Sequence, residues 1–153
     1  MTYPQITQIL LINLCNLWIP AKLCHMTAVV RIFSIGVAGF VGTLLRYWLS
    51  GIIAKRYGET FPYGTLAVNL IGCFVIGFLF YVFYDRALAN PTARTTIFIG
   101  LLGGFTTFSS YGLQTFTLLR DGELFLALVN VIASNVIGLA LVWVGYSLAK
   151  VIA

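Results

Sequence analysis

Residues 100–111 read Gly-Leu-Leu-Gly-Gly-Phe-Thr-Thr-Phe-Ser-Ser-Tyr and sit near the middle of a run long enough to cross a bilayer. Gly103 and Gly104 each cost a helix about 1 kcal/mol against alanine. The hydroxyls of Thr106, Thr107, Ser109 and Ser110 offer the backbone alternative partners. The stretch is therefore expected to break and to free carbonyls at membrane depth, where irregular backbone is tolerated only if it is buried or lines a wet cavity or an ion site. Polar side chains recur around it at helical spacing: Thr65 and Asn69 at i, i+4; Thr107, Ser110 and Gln114 at i, i+3, i+7; Asn130 and Ser134 at i, i+4. An unpaired amide in hydrocarbon costs roughly 2 to 7 kcal/mol. An interhelical hydrogen bond would account for any one pair, whereas three stripes together point to a shared polar pathway.

Hydrogen-bond donors dominate that pathway. Asn, Gln, Ser and Thr all donate, and the ring edges of Phe108 and Tyr111, one helical turn apart, present the positive rim of the aromatic quadrupole. Such a lining suits a small anion. No acidic residue lies inside an apolar run, and the only histidine, His25, precedes them all. Proton relay and metal-assisted hydrolysis thus lack their usual groups, and no enzymatic chemistry is expected. Arg46 is the one cation well inside a run. At a cost of about 2.5 to 3.5 kcal/mol at the membrane centre, it either reaches a water-filled vestibule, where it would draw anions, or snorkels to an interface.

The elements that must position these groups are helices in lipid. The 153 residues are 60% hydrophobic and 8% charged, against about 25% charged in a soluble domain, so a water-facing surface cannot be built. Four segments have spanning length: Val30 to Ala54, Tyr63 to Tyr84, Thr95 to Leu119, and Leu124 to Val151. The fold class is an all-α membrane protein of four transmembrane helices, the third broken near its middle. The loops between them are too short to hold a site of their own. Arg31, Arg86, Arg94 and Lys150 flank the helices on one side, and Lys55, Arg56 and Arg120 on the other. Four against three is almost no bias, which suggests insertion in both orientations and pairing of opposed copies about a twofold axis in the membrane plane. Gly36, Gly39 and Gly42, spaced by three, mark a face of the first helix that admits close helix approach.

The formal charge of +5 is spread singly over segment ends, where it meets lipid head groups, so nucleic acid is not an expected partner. Cys15, Cys24 and Cys73 lack metal-ligand spacing and read as small apolar filler. Residues 1–25 form an N-terminal extension, or reflect a misplaced start, because Ile6 to Ile19 is too short to span and lacks a basic n-region. Residues 26–153 are the four-helix domain.

Three motifs in this order carry a family resemblance: Gly42-Thr-Leu-Leu-Arg-Tyr47, Gly64-Thr-Leu-Ala-Val-Asn-Leu-Ile-Gly72 and Gly103-Gly-Phe-Thr-Thr-Phe-Ser-Ser-Tyr111. Over essentially Val30 to Val151 the chain resembles the CrcB/Fluc fluoride channels. The resemblance implies an antiparallel, dual-topology homodimer with two narrow fluoride pores and a sodium ion at its centre. By motif, the carbonyls of Gly103 and Thr106 would bind the sodium, and Asn69 and Phe108 would line the pores. Thr65, Ser110, Gln114 and Ser134 would extend the polar path. Tyr111 stands where the family usually has a second pore phenylalanine, and Gln114 where some members carry glutamate. The implied activity is passive export of fluoride across the bacterial inner membrane, needing no energy source. Of the alternatives, a small dual-topology multidrug exchanger would want a carboxylate inside a span, and a non-transporting scaffold would leave the polar stripes without a purpose.

Overall fold

The computed structural model describes residues 21–58 and 60–152. Four helical segments have the length and apolarity to cross a membrane: Ala28–Tyr57, Tyr63–Asp85, Pro91–Arg120 and Leu124–Ile152. The first of them belongs to a helix that begins at Ala21, so residues 21–25 continue the first span, and the rest of the expected N-terminal extension lies outside the described residues. The third span starts earlier than its apolar run. Asn90 accepts a hydrogen bond from the backbone N–H of Ala93 at 2.8 Å, and Pro91 follows at the first helical position, so cap chemistry begins the helix before hydrophobicity does. Two left-handed glycines shape connections that the chain must turn sharply: Gly58 (φ +83°) ends the first helix, and Gly122 (φ +82°) lies in the tight link before the fourth.

The interior is built from small residues. Gly64, Val68, Gly72 and Gly77 are buried on the second span, and Gly138, Gly145 and Ala149 on the fourth. A Cβ added to Gly77 would run into the backbone of Val142, and one at Gly145 into that of Phe74, so the second and fourth spans meet backbone to backbone. The first and third spans join in the same way: Gly42 faces the Leu101 carbonyl, and Gly104 faces Gly39. Of the glycine face expected on the first span, Gly39 and Gly42 pack in this seam, but Gly36 has open space beside it. Large side chains point the other way, with Phe33, Phe40, Trp48, Phe125, Leu139 and Trp143 among the most exposed. This inside-out distribution is what lipid permits, since tails are as apolar as the side chains and only close packing holds helices together. A small cluster of Phe61, Leu118 and Ala127 closes one end of the bundle.

Candidate functional site at the broken third span

The third span is not one helix. After the wide turn Thr96–Leu102, in which hydrogen bonds skip five residues, the helix runs only through Gly103–Phe105 before Thr106 (φ −88°, ψ 158°) and Thr107 (φ −150°, ψ 115°) become extended. A new helix then runs over Phe108–Arg120. Packing explains why the break sits here. Gly104 is pressed against Gly39, and Thr106 covers Gly72 so closely that a Cβ there would overlap its methyl group. The expected interruption near the middle of the third span therefore falls at Thr106 and Thr107.

The backbone groups released by the break find partners on other elements. Asn69, from the second span, accepts from the N–H of Thr107 at 2.9 Å and donates through Nδ2 to the carbonyl of the same residue at 3.1 Å. Its amide thus stands in for a missing strand and holds the extended residue from both ends. One hydrogen of its NH₂ group is left for another acceptor. Thr107 caps the second half-helix, its Oγ1 accepting from the N–H of Ser110 at 3.2 Å and donating to Ser110 Oγ at 3.0 Å. In an unbroken helix the Thr107 and Ser110 N–H groups would serve the carbonyls of Gly103 and Thr106. Both are diverted, so those two carbonyls lose their helical donors. Arg46 does not hang free: its Nε donates to the carbonyl of Gly104 at 3.2 Å, which ties the first span to the break.

A groove of about 320 Å³ opens beside the break between the second, third and fourth spans. Asn69, Gly103, Thr106, Thr107, Phe108, Tyr111 and Ser134 all border it. Phe108 is 81% exposed, and its ring is tilted by 51° against that of Tyr111 with centroids 5.4 Å apart. Thr65 and Gln114 lie in a second cleft of about 710 Å³, which reaches the links at one end of the bundle and is also bordered by Asp121 and Glu123. Ser134 Oγ and Gln114 Oε1 are buried and make no hydrogen bond among the described residues. Two orphaned polar atoms in lipid surroundings call for a ligand, water or a second chain.

Asn130 leaves the polar path that its stripe suggested. It is 2% exposed and donates to Thr115 Oγ1 at 2.8 Å, a bond between the third and fourth spans that uses the amide for packing. Asn135, not singled out by spacing, reaches Tyr111 instead. Near the opposite end of the bundle Asp85, the last residue of the second span, accepts from Tyr146 Oη at 2.7 Å. Among the described residues no group of three or more His, Cys, Asp or Glu side chains is placed to hold a metal ion. The oxygens at the break belong to backbone, hydroxyl and amide groups.

Four spans packed through glycine, one of them broken at membrane depth and lined with hydrogen-bond donors, define a multi-pass membrane protein organised around a polar site inside the bilayer. The chain belongs to the CrcB family: the pattern of that family, described as CrcB-like protein, Camphor Resistance (CrcB), matches residues 33–146. It is 48% identical over 120 residues to a protein of Citrifermentans bemidjiense, covering 78% of this chain and 97% of the relative. It is 42% identical over 119 residues to one of Aquifex aeolicus, covering 78% and 96%. Over 114 residues it is 48% identical to one of Opitutus terrae, covering 73% and 86%. Each of these relatives is described as the fluoride-specific ion channel FluC.

Proposed function

We propose that this chain is a fluoride-selective channel that lets fluoride leave the bacterial cytoplasm down its gradient. The observation that carries the reading is the groove at the break, which Asn69, Thr107, Ser134 and the residues Phe108 and Tyr111 border together, with no carboxylate among its described bordering residues. Fluoride is small and strongly hydrated, so a path for it must replace water with donors. The free N–H of Asn69, the hydroxyls of Ser110, Ser134 and Thr65, and the amide of Gln114 are such donors, and the edges of Phe108 and Tyr111 add positive rim charge. Arg46, held against Gly104, contributes a fixed positive charge near the path and raises the local concentration of anions. No proton or phosphate need move, so the chain acts as a channel rather than an enzyme.

The working unit in this proposal is an antiparallel homodimer of dual-topology chains. The carbonyls of Gly103 and Thr106 suit a hard alkali cation such as sodium, because they are oxygen donors whose helical partners have gone elsewhere. Two carbonyls fall short of such an ion's shell, and a twofold-related copy would double them. Sodium bound there would supply the charge that links two copies and stiffens the break.

Purified protein in liposomes tests the function. Efflux of fluoride should exceed that of chloride by orders of magnitude, and it should fall when sodium is replaced on both sides by a large organic cation, once slow ion exchange has been allowed for. Equal rates for the two halides would end the channel reading. Efflux indifferent to sodium would remove the cation site alone.

Orientation is checked separately. The near-even count of flanking cations, four against three, predicts that tags on the C-terminus are found on both sides of the membrane, and that moving two charges biases them to one side. If more than about nine in ten molecules report one orientation, the antiparallel pairing loses its support.

A further inference from the structure

The wall that the fourth span gives to the groove carries a side-chain contact to the third span. The wide turn Ala133–Ile137 inserts extra backbone into the helix and brings Asn135 level with Tyr111. Asn135 Nδ2 donates to the carbonyl of Val131 in its own helix at 2.8 Å and to Tyr111 Oη at 3.2 Å. An amide nitrogen carries two hydrogens, so the two bonds coexist. The first holds the amide in place. The second then holds the hydroxyl, and with it the plane of the ring that leans on Phe108.

We propose that Asn135 is a positioning residue for the anion path: it anchors Tyr111 so that the ring turns its edge, and not its oxygen, toward the groove. This rests on the fluoride-channel reading above. A tyrosine in such a groove has a difficulty that a phenylalanine lacks, because its hydroxyl must find a partner at membrane depth. Asn135 borders the groove, and without it two other groups on the same groove could draw the hydroxyl: Ser134 Oγ, which has no partner among the described residues, and the Gly103 carbonyl, which has lost its helical donor. A ring that swings toward them narrows the path and presents oxygen lone pairs to an anion. The need for Asn135 is therefore conditional on the hydroxyl of Tyr111.

Four proteins test this in the liposome assay: wild type, Asn135→Leu, Tyr111→Phe and the double variant, each first confirmed to be folded and in the same oligomeric state. Tyr111→Phe keeps the ring and removes the orphan hydroxyl, and its own rate is the reference for the double variant. Asn135→Leu should lose about fivefold to tenfold, the scale of one net hydrogen bond. The double variant should lie within about twofold of Tyr111→Phe, so that the loss from Asn135→Leu disappears in the phenylalanine background. If Asn135 serves only its own helix, the loss will be the same with tyrosine or phenylalanine at 111, and the proposal is overturned. An Asn135→Leu protein that conducts at the wild-type rate overturns it as well. Should the leucine variant not fold, Asn135→Ala in both backgrounds gives the same comparison. A wild type that releases no fluoride removes the channel reading and this one together, a result unlike either of the others.

Discussion

Asn69→Leu is expected to abolish fluoride efflux and to lower the stability of the purified protein. Leucine shares asparagine's branching at Cγ and its number of heavy atoms, so the substitution removes hydrogen bonds without opening a cavity. Two bonds vanish, from the N–H and to the carbonyl of Thr107. Each backbone group left unpaired away from water costs about 1 to 3 kcal/mol, and no solvent fills the gap in the hydrocarbon layer. The relief open to the chain is to return the Thr107 N–H to the carbonyl of Gly103, which straightens the third span and erases the site. Efflux should therefore fall by more than about a hundredfold, equivalent to roughly 2.7 kcal/mol on the barrier, and the thermal unfolding midpoint in detergent should drop by several degrees. A leucine variant that is as stable as wild type and still conducts would show that the break does not depend on Asn69.

Phe108→Ile should separate charge from bulk. Isoleucine is apolar and large but has no quadrupole, so it keeps the hydrophobic contact and loses the positive edge. Because Phe108 is 81% exposed within its own chain, little packing depends on it there, and folding and oligomeric state should be near normal. The ring pairs with Tyr111 at 5.4 Å, and an aromatic pair of this kind is worth about 0.5 to 1.5 kcal/mol beyond its area. A loss of that size in the bound anion's surroundings corresponds to roughly twofold to tenfold slower efflux. The readout is the initial rate from liposomes at matched protein content. If the isoleucine protein folds, assembles and conducts at the wild-type rate, Phe108 is a packing residue and the aromatic lining falls.

Much of the fold could be read from the order of residues, because lipid imposes so few solutions. An apolar run of twenty or more residues can only be a helix when every backbone group must be satisfied within its own segment. The first and third spans outrun their apolar runs, the third because Asn90 and Pro91 start it by capping, a local signal that hydropathy does not register. The interruption at residues 103–107 was legible too, through paired glycines followed by hydroxyls. Partner choice was not. Asn69 and Asn130 are the same residue type and each has a hydroxyl four positions away on its helix, yet one holds the break while the other bonds Thr115. Spacing says which face a side chain is on but not what stands opposite. Likewise Gly36 matches Gly39 and Gly42 in pattern but meets nothing among the described residues, because each step of three falls about 60° short of a full turn and carries Gly36 round the helix, away from the seam that Gly42 enters. The Tyr111–Asn135 bond escaped for a related reason: Asn135 lies within the wide turn Ala133–Ile137, where the backbone departs from the regular helix that spacing assumes.

The glycine seams between the spans bear on how this protein can evolve. In a soluble domain the interior consists of large side chains, and a mutation there can be answered by a compensating change in a neighbour. Here Gly42, Gly77, Gly104 and Gly145 meet backbone, which has no smaller version to offer in return. Compensation is closed off where the helices touch and open where they face lipid. Lineages can therefore retune the outer surface to membranes of different thickness or composition while the inner joints stay fixed, and adaptation to a new bilayer need not disturb the site at the break.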